Sequence, residues 1–141
     1  MNKKNRISEL RAWGMFLILL FCVGNPLLAG SNLLNGQRWY WKEVRGHEIQ
    51  SAGPYFEFGE MNRLNGFSGC NRMMGAYELN ESLMSFRGIA STRMFCEGTR
   101  GEEESLILKA LEEVRSWRIE RNWLLLLNVG GEPLGRLQLE P

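Results

Sequence analysis

Two cysteines, Cys70 and Cys96, are the residues of this chain whose type and spacing could most directly do chemistry. In an exported protein such a pair is typical of a disulfide, and closing a loop of about 26 residues would stabilise a small domain by about 3 to 4 kcal/mol. Two alternatives stay open, namely reduced buried thiols and a redox or soft-metal site, which would need a positive environment to form thiolates. Because no C-x-x-C motif is present, the sequence favours the disulfide.

Acid–base catalysis has few candidate residues. The chain contains no aspartate, and its single histidine, His47, is followed by Glu48. Zinc sites with two histidines and EF-hand loops are therefore excluded, and a catalytic triad would have to use glutamate. The G-x-x-x-x-G-K-S/T phosphate loop is also absent. We expect no enzyme activity, no catalytic residue and no cofactor, with His47 solvated in a loop.

The turn that follows Cys70 is a candidate binding site. Asn71 is expected to fix the turn, because an asparagine side chain can hydrogen-bond to nearby backbone. Arg72 and Arg93 could cap carbonyl groups, pair with glutamates or together hold an anionic group. These alternatives stay open from the sequence.

Nearby glycines and methionines have structural explanations as well as functional ones. We expect the glycines to serve positive φ angles or close packing between strands; they are Gly66, Gly69 and Gly75. Methionine sulfur suits copper(I), and three methionines lie close to the cysteines; they are Met73, Met74 and Met94. They lack the clustering that is typical of copper sites, so the sequence predicts no metal.

These residues form part of a longer pattern: G-C-N-R at 69–72, G-x-Y at 75–77 and T-R-M-x-C at 92–96. The pattern resembles the signature of the META domain family of HslJ-like proteins, over essentially all of residues 34–139. The resemblance implies a mixed, largely antiparallel barrel and a heat-shock or stress-response protein of the bacterial cell envelope. Beside the cysteines, the matching positions form the family turn and the candidate binding residues: Gly69, Asn71, Arg72, Gly75, Tyr77, Thr92, Arg93 and Met94.

The N-terminus has the pattern of a secretory signal peptide. A basic region precedes an apolar stretch from Met15 to Val23, and Leu28-Ala29-Gly30-Ser31 follows. We predict cleavage after Ala29, which leaves one domain at 30–141; an uncleaved anchor is the alternative. Cys22 follows bulky Phe21, where a lipobox needs a small residue, so we do not expect a lipoprotein anchor.

Without residues 1–29, the domain has about 110 residues and a net charge of about −2. A slightly negative domain is not expected to bind nucleic acid. We expect a monomer in the periplasm or cell envelope, which touches the membrane only through an uncleaved N-terminal segment. The partner would be an unidentified envelope protein or an apolar ligand.

Short strands and one helix must position these residues. Alternation at Trp39 and Trp41 predicts a half-buried strand. Other strands are predicted at 56–58, 61–67, 74–79, 82–86, 117–119, 123–129 and 134–139, with turns at Asn80-Glu81 and Arg121-Asn122. The fold class is mainly β, as a small antiparallel meander barrel or curved sheet with one helix packed on it or plugging it.

The helix is predicted between Glu102 and Val114. Thr99 and Glu102 have capping-box spacing, and the helix dipole would favour the acidic run from Glu102 to Glu104. The inward stripe would be Leu106, Ala110, Leu111 and Val114.

The leading hypothesis is a non-catalytic envelope META-domain protein, linked to heat or antibiotic stress or to envelope integrity, that acts by binding or scaffolding. It predicts an exposed apolar or arginine-rich patch next to the Asn71 turn. An alternative is a carrier of a lipid or small apolar ligand, with a lumen under the helix. The lumen would be lined by Phe56, Phe58, Leu111 and Trp117. A weaker alternative is an inhibitor of an envelope hydrolase.

Overall fold

The computed structural model describes residues 33–141, so the predicted signal peptide and Cys22 lie outside the described residues. The described part forms nine strands and one α-helix. The strands are β1 (Arg38–Val44), β2 (His47–Glu48), β3 (Tyr55–Phe58), β4 (Arg63–Phe67), β5 (Arg72–Asn80), β6 (Leu83–Ser91), β7 (Ser116–Glu120), β8 (Trp123–Leu127) and β9 (Pro133–Leu139). Helix α1 (Thr99–Glu113) connects β6 to β7.

The strands form a closed antiparallel ring. Neighbours along the chain pair with each other from β3 to β9, and β1 pairs with both β3 and β9, so the sheet returns to its start. The short strand β2 pairs only with the end of β1. The weakest pairing is β6 with β7, where Leu83 opposite Ser116 is the one paired position. The predicted fold class is confirmed.

Aromatic side chains fill the inside of the ring. Trp39, Trp41, Phe56 and Phe58 are at most 2% exposed, as the alternation in β1 and β3 predicts. Trp41 and Phe56 meet edge to face with ring centroids 5.2 Å apart, a favourable geometry for aromatic pairs. Burying each large apolar side chain contributes about 1.5 to 3 kcal/mol.

Helix α1 covers the ring with one apolar stripe. Its buried residues include Ile107, Ala110 and Leu111, which follow the i, i+3, i+4 spacing of a helix face. Leu106, predicted for this stripe, is only partly buried, and Ile107 takes its place. Within residues 33–141, no helix has the length and apolar character needed to cross a membrane.

The predicted capping box is wrong. Thr99 is already helical, and the residue before it, Gly98, begins the helix at φ 60° without a side-chain cap. A positive φ suits glycine, which has no Cβ to clash. Glu102 therefore has no cap to complete.

Several strand boundaries also differ from prediction: β6 continues to Ser91 rather than 86, and β8 ends at Leu127 rather than 129. Met61 and Asn62 have φ angles of 53° and 59° and belong to a 3₁₀ turn, Glu60–Asn62, so β4 begins only at Arg63. Asn80 pairs with Leu83, so the β5–β6 turn is formed by Glu81 and Ser82, not by Asn80-Glu81. The predicted turn at Arg121-Asn122 is confirmed.

Candidate functional site

The family turn, the loop at 92–98 and the N-terminal half of α1 meet at one end of the ring. Asn71 lies at their meeting point and is 2% exposed. We call the group formed by Ser68, Cys70, Asn71, Cys96 and Glu104 the Asn71 cluster. Its members come from the turn between β4 and β5, the loop and the helix.

The Asn71 side chain uses both of its polar atoms. Its Oδ1 accepts hydrogen bonds from the Thr92 hydroxyl and the Met94 backbone N–H, each at 2.8 Å. Its Nδ2 donates to the Glu104 carboxylate at 3.0 Å and to the Met94 carbonyl at 3.2 Å. Asn71 therefore fixes the loop as well as its own turn, which is a wider role than the local one predicted.

The Glu104 carboxylate accepts hydrogen bonds from Ser68 and Asn71 in the turn. The Ser68 hydroxyl, which is fully buried, donates to Glu104 Oε2 and accepts from the Asn71 backbone N–H at 2.9 Å. That N–H also lies 3.1 Å from Glu104 Oε2. A carboxylate satisfied by several donors can be partly buried without a large desolvation cost.

Cys70 and Cys96 form a disulfide, with their Cα atoms 6.2 Å apart. This separation is usual for a disulfide. The sulfur atoms lie 3.7 and 3.5 Å from Asn71 Nδ2, respectively. Cys70 is buried, whereas Cys96 is partly exposed.

The carboxylate of Glu103, the residue before Glu104, is also bound by a loop. Glu103 is fully buried and accepts hydrogen bonds from the Gln50 N–H at 2.6 Å, the Ser51 N–H at 3.1 Å and the Ser51 hydroxyl. Burial alone would raise the pKa of this carboxyl group, but these bonds and the nearby His47 lower the pKa below its ordinary value. Glu103 and Glu104 thus tie two loops to the helix, and only Glu102 of the acidic run lies in its first turn.

His47 is exposed, as predicted, but it does not lie in a loop. His47 is in β2, and its Nε2 lies 3.7 Å from Glu103 Oε1. The Ser51 hydroxyl binds the same carboxylate directly, whereas in a catalytic triad the imidazole lies between the serine and the acid.

The arginines of the family pattern point outward. Arg72 and Arg93 are exposed, and the side-chain hydrogen bonds and ion pairs found within residues 33–141 include neither guanidinium group. The backbone keeps them together, because the Thr92 N–H donates to the Arg72 carbonyl at 3.0 Å. Met94 and Phe95 follow Arg93 and are 63% and 86% exposed.

The glycines behave as predicted. Gly69 has a φ of 96°, and Cβ atoms added to Gly66 and Gly75 would lie 2.7 Å from the Phe56 ring and 2.5 Å from the Ile89 side chain. Tyr77 is in the core, and its hydroxyl donates to the Gly59 carbonyl at 3.2 Å. Burial raises the pKa of this hydroxyl.

Grooves lie on the outside of the molecule. One of about 540 Å³ is next to the disulfide, lined by Cys96, Gly98, Gly101, Glu102, Ser105 and Leu106. Another of about 550 Å³ lies where β6 meets β7, with Leu83, Met84 and Val129 among its lining residues. The four side chains assigned to a lumen are instead members of the core cluster.

Sequence reasoning did not single out Ser68, Glu103, Glu104 or Phe95 as site residues. The spacing S-x-x-N between Ser68 and Asn71 is a recognisable turn signal, and it could have identified Ser68. No sequence signal pairs Glu103 with Ser51, because the two are 52 residues apart.

Comparison with known proteins gives consistent results. Residues 32–141 match the family model described as META domain. Heat shock protein HslJ of Escherichia coli (strain K12) is 30% identical over 114 residues, which cover 78% of this chain and 81% of HslJ. An NMR structure of a protein from Burkholderia xenovorans has a TM-score of 0.62 and 25% identity, covering 99% of this chain and 97% of that one. Another NMR structure has a TM-score of 0.61 and 26% identity, covering 78% and 92%.

Proposed function

Because the chain belongs to the META domain family and is a stress-related, HslJ-like protein, we propose that it is a non-catalytic protein of the bacterial cell envelope that binds a protein partner. Its recognition surface consists of Arg72, Arg93, Met94 and Phe95. The partner presents an acidic segment with an apolar side chain.

The exposure of Met94 and Phe95, at 63% and 86%, is the observation that carries this proposal. Exposing two adjacent large apolar side chains to water is unfavourable, and contiguous apolar patches of this kind mark interaction sites. Methionine, arginine and aromatic residues are also enriched in interfaces. The leading hypothesis from the sequence predicts an exposed apolar or arginine-rich patch next to the Asn71 turn, and both types of residue are exposed there.

The loop is also rigid where it carries these side chains. Asn71 holds the Met94 backbone through both its N–H and its carbonyl, and the disulfide fixes the loop one residue after Phe95. A surface ordered before binding loses less conformational entropy when the partner arrives. This arrangement favours recognition by a preformed surface.

Charge complementarity selects the partner's chemistry. Arg72 and Arg93 have no acidic neighbour among the ion pairs of residues 33–141, so their charges are available to carboxylates on another molecule. Arginine binds carboxylates through paired N–H donors. Complementary charge would also accelerate association.

The envelope location is supported by two features. The N-terminal pattern is that of a secretory signal, and disulfides persist in oxidising compartments such as the bacterial periplasm. A non-catalytic role is supported by the Glu103 carboxylate, which the Ser51 hydroxyl and two backbone groups already bind. Placement of the four lumen candidates in the core favours surface binding over carriage of a ligand.

A complementation experiment tests the proposal. A deletion strain is challenged with heat or a cell-envelope antibiotic, and Arg72→Glu/Arg93→Glu or Phe95→Ser variants are expected to lose rescue while melting like the parent protein. The matched controls, Arg63→Glu/Arg121→Glu and Val129→Ser, change exposed residues elsewhere and should rescue fully. Full rescue by the variants at the recognition surface would overturn the proposal.

A photo-crosslinking residue at position 95 then identifies what the surface touches. Cross-links to one protein, followed by binding of that purified protein in a manner weakened by salt and by Arg93→Glu, would support the proposal. Cross-links to lipid alone would assign the surface to the membrane and overturn the protein partner.

A further inference from the structure

Three metal-binding side chains lie together in the Asn71 cluster. The sulfur atoms of Cys70 and Cys96 and a carboxylate oxygen of Glu104 are all within 4.8 Å of one another. The two sulfurs are joined in the disulfide, so as they stand they are not thiolate ligands. Reduction of this one bond would change the chemistry of the group without bringing in any further residue.

The donor set matches zinc better than other metals. Zn²⁺ takes thiolate and carboxylate ligands in tetrahedral geometry, whereas copper(I) prefers sulfur alone and Mg²⁺ or Ca²⁺ prefer oxygen alone. Two thiolates and one carboxylate provide three ligands. One position then remains for water.

The surroundings of these ligands also suit a metal. The Glu104 carboxylate is oriented by Asn71 Nδ2 at 3.0 Å and by the Ser68 hydroxyl, the type of support that holds a ligating carboxylate in place. Asn71 Nδ2 lies within 3.7 Å of both sulfurs, so the positive end of the amide dipole lies where it favours a thiolate charge. The groove of about 540 Å³ at Cys96 provides an entry path.

We propose that the Cys70–Cys96 disulfide is one state of a redox-controlled zinc site, and that the reduced protein binds Zn²⁺ through Cys70, Cys96 and Glu104. An external dithiol supplies the two electrons. The first thiolate of the dithiol attacks the partly exposed Cys96 sulfur, so that the Cys70–Cys96 bond breaks, the Cys70 thiolate leaves and Cys96 is joined to the reagent in a mixed disulfide. The second thiol of the reagent then attacks this mixed disulfide, which closes the reagent's own disulfide and releases the Cys96 thiolate. Zinc then replaces the two thiol protons, so binding and the disulfide exclude each other.

Zinc titration of oxidised and reduced protein tests this assignment. The protein is reduced with a phosphine, which adds no thiol ligand, and Zn²⁺ alone is added while binding is followed by calorimetry and native mass spectrometry. We expect one tightly held zinc ion in the reduced protein and none in the oxidised protein, whose sulfur atoms are not thiolates. Co²⁺ in place of zinc should show thiolate charge-transfer absorbance.

Variants assign the ligands. Glu104→Gln should weaken zinc binding by at least about 10-fold, because loss of a ligand costs at least as much as loss of its outer-shell support. Glu102→Gln, which changes an exposed residue in the same groove, should leave zinc binding unchanged. Cys70→Ser/Cys96→Ser should lose the cobalt band. Equal zinc affinity in the oxidised and reduced proteins, or in Glu104→Gln and the parent protein, would overturn the site.

Folding is followed in the same samples. If the reduced chain unfolds without metal, zinc must restore its near-ultraviolet circular dichroism, because metal binding is coupled to folding at such a site. Failure of zinc to restore the folded spectrum would count against the proposal as directly as a flat titration.

Discussion

The Asn71 cluster and the β6–β7 junction hold the same ring in different ways. In the cluster, one buried amide, one carboxylate and one disulfide tie together two irregular segments and a helix. At the junction, a single paired position, Leu83 opposite Ser116, joins the two strands. The cluster depends mainly on polar side chains, whereas the junction depends mainly on backbone hydrogen bonds and core packing, with one indole hydrogen bond from Trp117.

The connections along the chain explain this difference. Most neighbouring strands of the ring are joined by short turns and share several paired residues, but β6 and β7 are separated by the loop at 92–98 and α1. The loop lies outside the strand ladders, so its backbone groups must find partners elsewhere. Asn71 supplies them for Met94. The family pattern Cys-Asn-Arg therefore specifies a loop connection at least as much as a surface.

The largest effect is expected from Asn71→Asp. The change replaces the Nδ2 donor by a second carboxylate oxygen about 3 Å from the Glu104 carboxylate, so a hydrogen bond becomes a like-charge contact in a buried place. We expect a loss of about 3 kcal/mol or more in the free energy of unfolding, measured in urea at neutral pH. Part of it should return at acidic pH, where one carboxylate becomes protonated.

Asn122→Asp is the matched control, because Asn122 is exposed in the β7–β8 turn. It should change stability by less than about 0.5 kcal/mol. An equally small effect of Asn71→Asp would mean that the disulfide alone holds the loop, and that the polar network adds little.

The fold could be predicted where burial follows a simple period. Trp39 and Trp41 alternate along β1 and both are in the core, because a strand places every second side chain on one face. The prediction failed at Met61 and Asn62, where positive φ angles interrupt an otherwise strand-like run. Such angles are uncommon outside glycine, so sequence gives little warning.

Only part of the candidate site could be predicted, because its residues come together through long-range contacts. Asn71 stood out through the family pattern, but its partner Glu104 looked like an ordinary acidic residue in the first turn of a helix. The contact between them spans 33 residues and depends on how α1 packs against the ring. Local sequence signals do not encode that arrangement, whereas they do encode the strand periods.

A smaller effect is expected from Glu103→Gln, and it should depend on pH. The folded-state pKa of Glu103 lies below its ordinary value of 4.5, so ionised Glu103 stabilises the fold fully above that value. This contribution is lost as the pH falls through the folded-state pKa. At neutral pH the glutamine variant should be about 2 kcal/mol less stable, because a charged acceptor of backbone donors is removed.

Urea unfolding of both proteins between pH 7 and pH 3 measures this effect. The difference in the free energy of unfolding between the parent protein and Glu103→Gln should decrease as the pH falls. Glu102→Gln, which changes an exposed residue, should have the stability of the parent protein at every pH. A gap that stays constant down to pH 3 would show that Glu103 acts by shape rather than by charge.

The smallest effect is expected at the β6–β7 junction, from Trp117→Phe. This change removes the hydrogen bond from the Trp117 indole to the Glu81 carbonyl, 3.1 Å long, and should cost about 1 kcal/mol. Amide exchange should accelerate at Met84 and Trp117, whose N–H groups bridge the two strands, but not at Asn71. Uniform acceleration would mean that the ring opens as one unit. Acceleration confined to the junction would instead show that the ring opens first where a single paired position joins two strands.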